Sequence, residues 1–162
     1  TTSSTNNVQS MLFWLMGDLS QSRVNPAHYL LLLGGLVGGI FISRSLNVLI
    51  RGELLAVSLG VNVNSLRLLL FFSASVFTAT AVTVAGSVGF VGLIIPHILR
   101  LLGARDHRIL IPSCILLGGS FLVLADSLAR TLIAPQQLPV GVVTAVIGVP
   151  VFILILRSTI RK

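Results

Sequence analysis

The sequence has few charged side chains, which make up 9% of its 162 residues, whereas about 25% is usual in soluble domains. Lysine occurs only at Lys162, which excludes a phosphate-binding lysine loop and a Schiff-base lysine inside the fold. The single Cys114 cannot form an internal disulfide or a thiolate zinc site. Apolar residues make up 54% of the chain, and its mean hydropathy is +1.02. We therefore expect a multi-spanning membrane protein or a part of one.

Long uncharged stretches mark the candidate membrane crossings, because a bilayer core of about 30 Å needs roughly 17–25 apolar residues in a helix. The stretch 68–99 is too long for one crossing and contains three glycines at which the chain can turn. Splitting it there predicts an all-α helix bundle with five transmembrane helices. The predicted transmembrane segments are 26–43, 66–85, 88–102, 109–130 and 138–157.

The basic residues support five crossings over four. Five crossings place nine of the eleven Lys and Arg residues on one side of the membrane, and such residues concentrate in cytoplasmic loops. Four crossings would divide them between the two sides. The formal charge of +7 then reflects orientation in the membrane, and no nucleic-acid partner is expected. The nine residues are Arg44, Arg51, Arg67, Arg100, Arg105, Arg108, Arg157, Arg161 and Lys162.

The segment 1–25 is expected to lie on the extracytoplasmic side. It has no initiator Met and no basic region before an apolar run, so it does not resemble a secretory signal, and the chain is expected to begin partway through a longer protein. The apolar run Ser10–Met16 is too short to cross a bilayer. We expect it to form a short interfacial or re-entrant helix with Trp14 at the membrane interface.

The cytoplasmic loop 44–65 is unusual because it is rich in Leu and Val. Residues 53–59 indicate a short helix, with Glu53 near its positive end, Gly52 before it and Gly60 as its stop signal. An exposed apolar loop of this kind needs a partner surface. The alternative is a helix that lies flat on the lipid.

Glycine and proline mark two further features of the transmembrane segments. Gly86, Gly89 and Gly92 recur at intervals of three, which permits a neighbouring helix to approach closely. Helix packing without any substrate contact is the plainer interpretation. Pro96 and Pro150 lie inside predicted helices, where they should cause kinks.

Ionisable groups within the predicted crossings are few. Asp126 and Arg130 are i,i+4 neighbours and predict a structural ion pair, with a proton relay as the alternative. The three histidines are far apart and form no H-E-x-x-H motif, and nothing pairs a nucleophile with a base. An embedded enzyme is therefore disfavoured, and we expect no catalytic residue and no metal site.

Three stretches resemble the FecCD-like permease subunits of ATP-binding-cassette importers for iron–siderophore complexes, haem and vitamin B12. The stretch 52–60 (GELLAVSLG) is similar to the family's coupling segment, and 86–100 (GSVGFVGLIIPHILR) is similar to its glycine and proline signature. The third stretch runs from 125 to 130, followed by 138–145 (LPVGVVTA) and by Gly148, Pro150 and Phe152. A family permease is roughly twice as long, so the chain resembles its C-terminal half.

The resemblance implies a role for each matching position. The segment 52–60 would dock in a cleft of a separate ATPase subunit, where Glu53 would meet polar or basic groups while Ala56 and Leu59 pack. ATP and Mg²⁺ would belong to that ATPase, and this chain would bind no cofactor. A second permease copy or a homologous half would complete the pathway.

The resemblance also implies a location and an outer partner. The location would be the bacterial inner membrane, with the C-terminus in the cytoplasm. An extracytoplasmic substrate-binding protein would dock near Asp18, Arg23 and Arg130. The alternative function is that of a non-transporting membrane assembly or interaction subunit.

Overall fold

The computed structural model describes residues 15–17, 19, 25–131 and 138–160. For residues 156 and 158–160 it describes the backbone alone. These described ranges contain helices and no strand, which confirms the predicted all-α class. The helices are α1 (Pro26–Leu49), α2 (Glu53–Ser58), α3 (Val63–Ala85), α4 (Val91–Leu101), α5 (His107–Thr131) and α6 (Val140–Ile160).

Helix α1 begins where the sequence predicts, at an Asn–Pro pair. The Asn25 side chain accepts a hydrogen bond from the Ala27 N–H, and Pro26 occupies the first turn, where a missing N–H is harmless. The His28 ring completes the cap by accepting the Asn25 N–H at 3.0 Å. The helix continues six residues past the predicted boundary at 43, because no glycine or proline intervenes before Gly52. Its 24 residues extend about 36 Å, enough to cross a bilayer core.

Helix α4 is shorter than the predicted segment 88–102. Gly86 (φ +71°) ends α3, and Phe90 adopts a left-handed conformation (φ +67°) immediately before α4, so residues 86–90 remain non-helical. The 11 residues of α4 extend only about 16 Å. The non-helical residues before it can extend by up to about 16 Å more. Backbone of this kind is tolerated at membrane depth only where protein covers it.

Three of the described helices are long and apolar enough to cross a membrane: α1, α3 and α5. Helix α6 has 21 residues, of which Val140–Ile155 is apolar, and a helix of that length extends about 31 Å. The structure therefore describes a multi-pass bundle. The five crossings stay a prediction, in which α4 crosses together with the segment before it.

Helix α5 begins at an aspartate cap. The Asp106 carboxylate accepts the Arg108 N–H at 2.8 Å and the Asn47 side-chain amide at 2.7 Å. The Arg108 N–H bond, followed by the Asn47 bond, lowers the pKa of Asp106 below its ordinary value. A lowered folded-state pKa stabilises the fold above the unfolded pKa, and this stabilisation is lost as the pH falls through the folded pKa. The cap is therefore fully ionised near neutral pH.

Helix α5 is the centre of the bundle, since it packs against α1, α4 and α6. Near its end, Ala125 and Ala129 pack against Val140 and Val143 of α6 to form a buried core. Helix α3, in contrast, packs mainly against α1 and α2, and its most apolar 18-residue stretch contains no residue buried by the described chain. One face of the bundle therefore remains open beside α3.

Candidate functional site

The short helix α2 lies between two glycines with positive φ. Gly52 (φ +134°) precedes it and Gly60 (φ +82°) follows it. No atom lies within 4 Å of a Cβ built on either glycine, so the backbone conformation and not the available space requires glycine at these positions. The two glycines separate α2 from α1 and α3 in the chain as a short helix of its own.

Most apolar side chains of α2 point outward. Leu54 is 89% exposed, and Leu55, Val57 and Leu59 are exposed as well. Ala56 is the exception, with 0% exposure, because α2 packs against α1 and α3 on that side. The sequence resemblance places Ala56 against a partner, but its side chain is covered by its own chain. Leu59, the other residue expected to pack, remains accessible.

The carboxylate of Glu53 is bound within the chain. Arg67, in the second turn of α3, donates to Glu53 Oε2 at 2.6 Å. The two side chains are 52% and 56% exposed, so the pair contributes at most about 1 kcal/mol of stability. The resemblance implies polar or basic partner groups for Glu53, whereas the basic group that meets it here, Arg67, belongs to the same chain. The pair fixes the start of α2 relative to α3.

A second polar junction ties the end of α1 to the start of α5. Asn47 donates to Asp106, and the Asn47 Oδ1 accepts the His107 N–H at 3.0 Å and lies 2.7 Å from His107 Nδ1. One amide side chain therefore bridges a residue before the helix and the first residue in it. This junction fixes α1 relative to α5, as the Arg67–Glu53 pair fixes α2 relative to α3.

The sequence interpretation missed Asn47 and the role of Arg67. Asn47 interrupts an apolar run between Leu46 and Val48, which was an available signal for a polar contact at that position. The partner of Glu53 carried no such signal, because Arg67 is separated from it by a turn whose direction the sequence does not specify.

The surroundings of Gly86, Gly89 and Gly92 differ from those expected from the sequence. Gly86 is buried and ends α3, but nothing within the described chain lies within 4 Å of a Cβ built on Gly89 or Gly92. Among the described residues, the close helix approach predicted at Gly89 and Gly92 is therefore not formed. Pro96 lies inside α4, as predicted.

The close approaches occur at other glycines. A Cβ on Gly35 of α1 would overlap the Phe77 ring of α3, and one on Gly148 of α6 would lie 2.7 Å from Phe90 Cβ. A Cβ on Gly141 would meet main-chain oxygens of two other segments. These glycines permit the helix contacts that the signature glycines were expected to provide.

Asp126 and Arg130 form an ion pair on one face of α5, with Arg130 Nε donating to Asp126 Oδ2 at 2.8 Å. This is the i,i+4 geometry expected of a structural pair. Of the residues expected near the outer partner, Asp18 and Arg23 lie outside the described residues, as do residues 10–14 of the expected interfacial helix. Within the described ranges, no group of three His, Cys, Asp or Glu side chains could hold a metal ion.

An apolar groove of about 750 Å³ separates α1 from α3. Four glycines line its α1 side, and Phe72, Val76 and Phe77 line its α3 side. Gly34 and Gly38 face open space, with no atom within 4 Å of a Cβ built on either. This groove and the exposed face of α2 are two apolar surfaces without a partner in the described part of the chain.

Comparisons with known proteins find similarity to transport proteins. The model of the FecCD transport family matches residues 1–158. A permease protein of an uncharacterised ABC transporter of Bacillus subtilis, YvrB, is 45% identical over 152 residues, which are 93% of this chain and 43% of the relative. The cobalamin import system permease BtuC of Halobacterium salinarum is 45% identical over 154 residues, covering 93% of this chain and 41% of the relative.

Two further similarities concern function and fold. The vitamin B12 import system permease BtuC of Escherichia coli is 40% identical over 156 residues, covering 96% of this chain and 48% of the relative. A solved structure, an inward-facing conformation of a metal-chelate type ABC transporter, matches with a TM-score of 0.83 and 34% identity, over 92% of this chain and 50% of that chain. The chain thus spans about half the length of the proteins that it matches.

Proposed function

Because the chain belongs to the FecCD transport family, we propose that it forms the C-terminal half of the permease of an ATP-driven importer for metal chelates. Its relatives are named for cobalamin and vitamin B12 import, and the similar structure for metal chelates. The proposed cargo is accordingly an iron–siderophore complex, haem or cobalamin. The family is one of transport subunits, so the chemistry of ATP and Mg²⁺ is assigned to a separate ATPase subunit.

The observation that carries this proposal is the exposed apolar face of α2. Its exposed leucines extend from a helix that packs against α1 and α3. Docking of an ATPase there would connect the closure of the ATPase to both of these long helices. Rigid-body tilting of packed helices is a common way of converting closure at one site into opening at another.

The orientation follows from the basic residues. We place α2 and the C-terminus on the cytoplasmic side of the bacterial inner membrane, since nine basic residues flank the crossings on that side under five crossings. The substrate-binding protein is assigned to the opposite side, near Asp18, Arg23 and Arg130.

The groove between α1 and α3 is assigned to the remaining half of the permease. The chain spans half of the similar solved chain, so a complete permease has further helices to place. Gly34 and Gly38 are spaced as in the G-x-x-x-G pattern that lets membrane helices approach closely, and both face the open groove. A second permease copy would then face the pathway from the other side.

The proposal is tested with the complete permease and its ATPase reconstituted in lipid vesicles. We expect ATP-dependent accumulation of radiolabelled cobalamin, a ferric siderophore or haem when the substrate-binding protein is supplied. Vesicles that contain a non-hydrolysable ATP analogue are the control, and they should show binding without accumulation. A complex that assembles but accumulates none of the three cargoes would favour the non-transporting assembly subunit.

A further inference from the structure

A cleft with two arginines lies directly beside α2. Asn47, Ile50, Arg51, Arg105 and Asp106 line it, and its volume is about 350 Å³; we refer to it as the arginine cleft. It is formed by the end of α1 and the loop between α4 and α5. Arg51 and Arg105 come from different segments, so the fold and not the sequence brings the two guanidinium groups to one cleft.

The acidic groups near the arginine cleft are already engaged. Glu53 is paired with Arg67 at 2.6 Å, and Asp106 Oδ1 accepts both the Asn47 amide and the Arg108 N–H. Among the residues that the structure describes, neither Arg51 nor Arg105 forms an ion pair. Two exposed guanidinium groups therefore face a cleft in which one carboxylate is occupied by other donors.

The arginine cleft is continuous with the exposed apolar face of α2. Ile50, which lines the cleft, is 63% exposed, and Leu54 follows Arg51 by three residues. Three residues span at most about 11 Å. Leu54 and Arg51 therefore lie close enough for one protein surface to contact both. An apolar centre with charged groups at its rim is the usual composition of a protein interface.

We propose that the arginine cleft receives an acidic side chain of the ATPase subunit. The ATPase then docks through apolar contacts with the exposed face of α2 and through a carboxylate between Arg51 and Arg105. This inference rests on the proposed function. Arginine binds carboxylates through two parallel N–H donors, which fixes orientation as well as supplying affinity. In this arrangement Glu53 remains bound to Arg67 and needs no basic group of the ATPase. The carboxylate of the intersubunit ion pair comes from the ATPase, and the arginines come from this chain.

The first test is the affinity of the complete permease, in lipid nanodiscs, for the purified ATPase. The double variant Arg51→Gln, Arg105→Gln should weaken binding by about tenfold, as expected for two partly exposed ion pairs, and should reduce its salt dependence. Arg157→Gln, which removes an exposed charge from the last turn of α6, is the matched control and should leave the affinity unchanged. Equal affinities for the double variant and the wild type would overturn the proposal.

The second test identifies the carboxylate. The chain has lysine only at Lys162, so Arg51→Lys and Arg105→Lys introduce primary amines against a low background. A carbodiimide, which joins amines to carboxylates without a spacer, should link either position to an Asp or Glu of the ATPase, as identified by mass spectrometry. The proposal would be overturned if no such link formed and the Gln variants bound more weakly to phosphatidylglycerol vesicles. The arginine cleft would then bind anionic lipid headgroups.

The outcomes for the cleft and for the proposed function are distinguishable. If the Gln variants dock normally while Leu54→Glu does not, the cleft assignment fails and the docking function of α2 stands. If the wild-type permease does not bind the ATPase at all, the proposed function itself fails.

Discussion

Replacing Leu54 by Glu should prevent productive docking of the ATPase while the permease remains folded. The Leu54 side chain is 89% exposed, so its replacement removes little packing within the chain, and surface changes of this kind usually alter stability by about 0.5 kcal/mol or less. At an interface, loss of a central apolar anchor costs about 2 kcal/mol or more, and an unpaired buried charge adds to this cost. The affinity for the ATPase should therefore fall by at least about 30-fold.

The Leu54→Glu effect is measured by titrating the purified ATPase onto the complete permease and by ATP-dependent uptake in lipid vesicles. Leu54→Met is the matched control, since it keeps an apolar side chain of similar size and should retain both docking and uptake. Thermal unfolding of each variant shows whether the fold has changed. Normal affinity and normal uptake of Leu54→Glu would show that the exposed face of α2 does not dock.

Replacing Gly141 by Ala should destabilise the bundle strongly, because the added methyl group would meet main-chain atoms. Gly141 lies in the first turn of α6, where a Cβ would be 2.8 Å from the Ser87 carbonyl oxygen and would overlap that of Met16. Main-chain oxygens cannot move aside as the end of a flexible side chain can. The Val140 N–H also donates to the Gly17 oxygen at 2.9 Å, which fixes the segments relative to one another. Overpacking of this kind costs about 3 kcal/mol.

The Gly141→Ala effect is read from the thermal unfolding of the complete permease in detergent, together with the yield of folded protein. Gly119→Ala is the matched control, because Gly119 lies inside α5 with no atom within 4 Å of a built Cβ. Alanine is intrinsically more favourable than glycine within a helix, so this control should be neutral or slightly stabilising. Equal thermal stabilities of the two variants would contradict the described contact between Gly141, Ser87 and Met16.

Local signals in the sequence were sufficient for the helix ends and for α2. Asn25 and Pro26 begin α1, and Gly52 and Gly60 bracket α2, because each of these residues determines the conformation of its own backbone. The all-α class followed from hydropathy alone. Glycine and capping residues are informative because their effect does not depend on distant parts of the chain.

Contacts between distant segments were not predictable in the same way. A close approach was predicted at Gly89 and Gly92, yet the shortest contacts of a built Cβ in the described part of the chain are at Gly35, Gly141 and Gly148. A small residue permits a close approach, but which helix approaches depends on the packing of the whole bundle. Helix α4 was predicted too long for a related reason, since the left-handed Phe90 is stabilised by its surroundings and not by a preference of phenylalanine.

The burial of Ala56 within its own chain could not be predicted from the sequence. A short helix between two glycines can turn either face inward, and only the packing of α2 against α1 and α3 shows that the Ala56 side faces the bundle. The same packing left the leucines outward and brought Arg67 to Glu53. The candidate site therefore differs from the sequence prediction in which side chains it presents, while its position in the chain is the same.

The central claim, that α2 lies on the cytoplasmic side and contacts an ATPase, is tested most directly by photo-crosslinking from position 54. Leu54→Cys in a cysteine-free complete permease is labelled with a maleimide benzophenone and illuminated in membranes that contain the ATPase. We expect a covalent adduct with the ATPase subunit, and labelling by a membrane-impermeant maleimide only from the cytoplasmic side. Adducts with lipid alone, or labelling of the introduced cysteine from outside intact cells, would contradict the claim.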